Sequence, residues 1–147
     1  MAATITQIRD ALVDLVDNID GISAATVNPT SQPLPAAIVL PPNEGSYWGT
    51  MSDAGFYGEM DFRVQVYVAA NLLADAADAL TAYVDPTGSA SVLQAIHADQ
   101  TLGGLLTHAN GEGAAVMGWR FLSYEEAQLG LGHWGVEFTV RVKAKKG

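Results

Sequence analysis

Between Thr4 and Asp20, the residues Ile5, Ile8, Leu12, Leu15, Val16 and Ile19 recur at intervals of three and four, while Asp10, Asp14 and Asp17 fall on the opposite side. This 3.6-residue period predicts an amphipathic helix, with Thr4 or Thr6 placed to cap its free amides and Gly21 to stop it. A second stripe runs through Leu72, Ala76, Ala79, Leu80 and Tyr83, with Asp75 and Asp78 facing out. Pro86 drives Asp85 out of the α region, so that helix ends near Val84. A third helix, carrying Val92, Leu93 and Ile96, restarts almost at once. Gly88 supplies the positive φ such a joint needs, Ser89 or Ser91 the cap, and Gly103-Gly104 the stop.

The remaining pattern has period two. Met60, Phe62, Val64, Val66 and Val68 alternate with Asp61, Arg63, Gln65 and Tyr67, which predicts a strand with one buried face. Trp134, Val136, Phe138, Val140 and Val142 alternate in the same way with Gly135, Glu137, Thr139, Arg141 and Lys143. Ala115, Met117, Trp119 and Phe121 share one side of a third strand, with Val116, Arg120 and Tyr124 on the other, and these last two strands should pair as an antiparallel hairpin. Ala36 to Leu40, held between Pro35 and Pro41-Pro42, is a short buried strand. Asn43 to Gly55 has no usable period and is expected to be a long loop. The order helix, strand, strand, helix, helix, strand, strand describes an α+β fold, a mixed or antiparallel sheet of about four to five strands with two to three helices on one face. With no repeat and no shift of composition, residues 1–147 read as one domain.

A chain of this length buries roughly 70% of the surface it exposes when unfolded and needs no staple. It has no cysteine, which excludes disulfides and thiolate chemistry and suits a reducing cytoplasm. Sixteen acidic residues against seven basic ones give a net charge of −9, a sign that disfavours binding to a phosphate backbone. Such a surface either keeps the protein soluble or lines a channel through which DNA slides without sticking. Met1-Ala2-Ala3 lacks a basic side chain and charges interrupt the first apolar run, against a signal peptide. No apolar stretch reaches the ~18 to 20 residues a bilayer demands, so no membrane partner is expected.

Candidate chemistry is thin. Gly130 to Gly135 spells G-x-G-x-x-G, but a strand follows it instead of a helix, so its glycines read as a hairpin connection. His97, His108 and His133 stand in no metal-ligand spacing, and neither metal nor other cofactor is expected. Glu125 and Glu126 are neighbours on an extended stretch and point apart, unlike a paired acid and base. No nucleophile elbow is present. No catalytic residue is predicted.

The segment Ala82-Tyr83-Val84-Asp85-Pro86-Thr87-Gly88-Ser89, followed by Val92, Ala95-Ile96, Ala98-Asp99 and Thr101-Leu102-Gly103-Gly104, resembles the tail terminator proteins of long-tailed, siphovirus-type bacteriophages. The opening helix, the Pro35 to Pro41 strand and the closing Gly135 to Val142 strand are similar in order and spacing. The resemblance implies a virion structural protein of the tail or neck, assembled in the host cytoplasm, that caps the tail tube, ends its polymerisation and forms the head-tail joining surface. It implies a homohexameric ring whose partners are its own copies, the tail tube protein and a connector or stopper protein, with DNA passing through unbound. A head-completion or stopper protein is the neighbouring alternative, and a small acidic enzyme or ligand-binding domain is one of another class.

Three groups of residues are candidates for contact. Tyr47, Trp48, Met51 and Phe56 either fold back over the core or anchor another subunit. Lys143, Lys145 and Lys146 form either a solvated terminus or a cationic end that docks on an acidic neighbour. Asp10, Asp14 and Asp17 are either a solvated helix face or a channel-facing stripe.

Overall fold

Thr4 begins the first helix with a reciprocal capping box: its hydroxyl accepts from the Gln7 amide at 3.1 Å, and the Gln7 side chain accepts from the Thr4 amide at 2.9 Å. Helix α1 then runs Ile5–Asp17 and buries Ile8, Leu12 and Val16 completely. It stops at Asn18, whose side-chain amide donates to the Asp14 carbonyl, three residues before Gly21. The computed structural model describes residues 4–19, 22, 24–26, 36–42, 45–49, 56–69, 73–107, 111–122 and 133–146.

In chain order there follow β1 (Ala24–Thr26), β2 (Ala36–Leu40), β3 (Gly45–Gly49), β4 (Phe56–Ala69), α2 (Leu73–Val84), α3 (Val92–Ala98), β5 (Gly113–Leu122) and β6 (His133–Lys146). Among the described residues these make a six-stranded sheet and three helices, an α+β fold. The spine is β4, whose fourteen residues all pair antiparallel with β6, from Phe56 opposite Lys146 to Ala69 opposite His133. Along its other edge β4 pairs with β3 through residues 56–60 and with β2 through residues 63–67. The order across the sheet is β1-β2-β4-β6-β5, with β1 and β2 parallel and every other pair antiparallel.

Alternation decides what each face meets. Phe62, Val64 and Val66 of β4 and Val136, Phe138, Val140 and Val142 of β6 are buried in one cluster with Ile8, Leu12 and Val16 of α1 and Val92 and Ile96 of α3. The opposite face holds a second, smaller cluster of Ile38, Tyr67 and Leu122 with Leu40 against it. The joint between α2 and α3 forms as its residues predict. Asp85 accepts from the Thr87 amide, Gly88 sits at φ 114°, and Ser91 is the cap, accepting from the Gln94 amide while its hydroxyl donates to the Asp85 carbonyl.

Two expectations need correction. The stretch expected to be a loop contains β3, in which glycine and serine at Gly45, Ser46 and Gly49 erase the period-two contrast that betrays a strand. The same pairing starts β4 at Phe56, four residues before its alternation becomes visible. On β5, Val116 stands opposite Val140 and Gly118 opposite Thr139, so Met117 is an extra residue in a β-bulge. The bulge reverses the parity of the strand. Trp119 and Phe121 therefore share the side of Ala114 and Val116, and Ala115, opposite Arg141, lies on the other face.

Candidate interaction surface

Strand β5 closes one end of the sheet, and among the described residues no strand pairs with its outer edge. Its first half is tied down from outside: the Ala114 amide donates to the Gln100 carbonyl at 2.9 Å and the Val116 amide to His97 Nε2 at 3.1 Å. At the bulge Met117 is open to solvent at 54% exposure, and past it Trp119 at 50% and Phe121 at 49%. The two rings meet edge to face, with centroids 4.9 Å apart. By register Trp119 lies across from Phe138 and Phe121 across from Val136, both buried under the helices. The apolar row that the helices cover on β4 and β6 thus runs out bare on β5.

The opposite face is laced by polar side chains in register. Tyr67 donates its hydroxyl to Gln65 Oε1 at 2.6 Å, and Gln65 donates through Nε2 to Glu137 at 2.7 Å. Arg120 reaches Glu137 from the strand edge at 3.2 Å. Gln65 and Glu137 are buried, and each is satisfied by these bonds. Further along, Arg141 takes both oxygens of Asp61, at 2.9 and 3.2 Å, and approaches Glu59 at 3.4 Å. The hydrogen bond to Asp61, reinforced by its charge, raises the pKa of the Arg141 guanidinium.

The predicted contact residues fall in three places. Asp10, Asp14 and Asp17 are all exposed on α1, and Asp10 pairs with Arg9 at 3.0 Å. Lys143 is in β6 and lies 3.8 Å from Glu59, and the backbones of Lys145 and Lys146 pair with Tyr57 and Phe56. The basic end is therefore strand through Lys146 and not a loose tail. Tyr47 and Trp48 are on β3 and Phe56 opens β4, while their side chains, and Met51 altogether, lie outside the described residues. His108, Glu125, Glu126 and residues 130–132 lie outside them as well. His97 is exposed and bonded to β5.

Sequence reasoning put Met117, Trp119 and Phe121 on one strand face without singling them out as a contact surface, and the bulge parts Met117 from the two rings. The signal was Gly118 inside a strand pattern, which marks a bulge and a change of side. Met117 lines a groove of about 290 Å³ with Gln100, Glu112, Ala115, Arg141 and Lys143, on the face of Ala115 and not on that of the two rings. Both of its basic groups already face carboxylates. Among the described residues no group of three or more His, Asp or Glu could hold a metal ion, and no helix is long and apolar enough to cross a membrane.

Charge is divided between the two layers. Six of the seven basic residues lie on strands β4, β5 and β6, whereas the helices hold Arg9 against Asp10, Asp14, Asp17, Asp75 and Asp78. On the strands Arg120, Arg141 and Lys143 meet Glu137, Asp61 and Glu59, so the feature that suits another protein surface is the exposed pair of rings at the strand edge.

No protein-family model and no curated protein matches the chain. Among solved structures it is similar to a chain in the virion of a native gene transfer agent particle, with a TM-score of 0.42 and 16% identity, over 97% of this chain and 92% of that chain.

Proposed function

We propose that this protein is a structural component of a phage-type virion, a tail terminator that caps the tail tube as a six-fold ring, stops its growth and offers the surface that joins the head. The observation that carries the reading is the half-exposed pair Trp119 and Phe121 past the bulge of β5, an edge with which no strand pairs among the described residues. Large apolar residues gathered on an edge strand invite association unless something covers them. The resemblance of the Ala82 to Gly104 segment to tail terminators supplies the kind of assembly.

The work is done by shape. A closed ring needs two different surfaces on each copy that fit head to tail and close after a fixed number of steps. The sheet provides two ends, the bare β5 edge and the β1 end beneath α1. An annulus of such copies blocks the addition of tube subunits, and an acidic wall lets DNA pass without holding its phosphates.

The test is deletion of the gene from a phage-type genome that carries it. The reading expects headless tubes of unregulated, mostly excessive length, restored to one length by supplying the protein in trans. Tubes of normal length that merely fail to join heads would instead make the protein a connector component.

A further inference from the structure

We infer that His97 is a pH-sensitive clasp on the outer edge of β5: its neutral imidazole holds the Val116 amide, and protonation releases it. The inference is independent of the ring reading above, and its test uses the protein by itself.

Two bonds reach this edge from outside the sheet, and they differ in kind. The Ala114 amide donates to the backbone carbonyl of Gln100 at 2.9 Å, an acceptor that a change of pH leaves in place. The Val116 amide donates to Nε2 of His97 at 3.1 Å. A ring nitrogen accepts only while it carries no proton, so this bond requires the neutral imidazole with its hydrogen on Nδ1. Imidazolium carries a hydrogen on both nitrogens and sets donor against donor. The ring is exposed, so solvent can deliver that second proton.

Among the described residues no carboxylate pairs with His97 to keep it in place once charged. Helix α3 packs on β5, α1 and α2. On β5 the charged side chain is Arg120, which turns to Glu137 on the sheet face away from the helices. On α1 they are Arg9, Asp10, Asp14 and Asp17, with Arg9 paired to Asp10, and α2 carries Asp75, Asp78 and Tyr83. Closer in sequence, Asp99 accepts from the Thr101 hydroxyl and the Gly103 amide, and Glu112 is buried where the chain enters β5.

The clasp sits at a boundary. Val116 is half-buried against the core and is the last residue before the bulge, beyond which the strand carries the exposed Trp119 and Phe121. Releasing its amide extends the open edge back from the bulge as far as Ala114, which stays bonded to Gln100. The pH therefore sets how much of β5 offers unpaired backbone.

Amide exchange followed by NMR on the whole chain, divided at each pH by the rate of an unprotected amide, reads the two bonds separately. Between about pH 8 and pH 5, where imidazole changes charge, protection of Val116 should fall roughly tenfold, the scale of one lost hydrogen bond. Protection of Ala114 should stay level. The nitrogen-15 spectrum at the alkaline end should show His97 with its hydrogen on Nδ1. His97→Gln, whose amide oxygen stands close to the place of Nε2, and His97→Ala should both abolish the pH dependence, with the glutamine variant keeping the higher protection. Val116 protection that ignores pH in the wild type, a pH dependence that survives in either variant, or a hydrogen on Nε2 at the alkaline end would each overturn the clasp.

Discussion

Gly135 lies directly across β4 and β6 from Tyr67, and a Cβ at Gly135 would stand 2.9 Å from the Tyr67 ring and 3.2 Å from Leu122. The ring, fully buried, covers the bare glycine backbone and takes the room a side chain would need. Gly135→Ala must push the ring out of the Ile38, Tyr67 and Leu122 cluster, because the Tyr67 ring atoms it meets at 2.9 and 3.0 Å are fully buried. The expected loss is about 1 to 3 kcal/mol, measured by urea unfolding. Gly118→Ala meets no atom within 4 Å and should fall within about 0.5 kcal/mol of the parent.

The same tyrosine begins the buried polar chain through Gln65 to Glu137. Tyr67→Phe keeps the packing and strips the donor from Gln65 Oε1, a cost of about 1 to 2 kcal/mol. Gln65→Leu removes one partner from each of its neighbours at once and should cost more. A double-mutant cycle between the two positions checks that they are coupled.

At the α2–α3 joint, Ser91 both caps α3 and donates to the Asp85 carbonyl, while Ser89 is exposed. Ser91→Ala should cost about 1 to 2 kcal/mol and Ser89→Ala should be close to neutral. Equal melting temperatures for the two variants would show that the joint is held in another way.

Burial raises the pKa of Tyr83 above its ordinary value of 10.0. The native state therefore holds its phenolic proton at a pH where the unfolded chain has begun to release it. This contribution is complete below pH 10 and is lost as pH rises from there through the raised folded value. A stability profile from pH 8 to 11 should fall at its alkaline end, and Tyr83→Phe should flatten that part of the slope.

What the sequence made legible follows the range of the forces involved. The alternation of Phe62, Val64 and Val66 and of Val136, Phe138 and Val140 is imposed by one buried face, and both strands form as read. Pro86, Gly88 and Ser91 act on their own backbone neighbourhood, so the helical joint was readable residue by residue. Strand β3 was not, since its pairing with β4 is non-local and its glycines and serine carry no apolar contrast. The candidate surface was half legible. Alternation puts Trp119 and Phe121 on one side together, but only the three-dimensional arrangement reveals that the helices stop short of them and that the bulge at Met117 turns them toward the helix side.

The reading of the protein as a self-assembling cap is tested most directly by growing tail tubes from purified tube protein with the wild type or with Trp119→Ser/Phe121→Ser, and measuring tube lengths by electron microscopy. The wild type should leave short tubes that end in a disc, and the variant, folded but unable to close its ring, should leave tubes as long as those grown without any cap. Tubes stopped equally well by both proteins, or by neither, would contradict it.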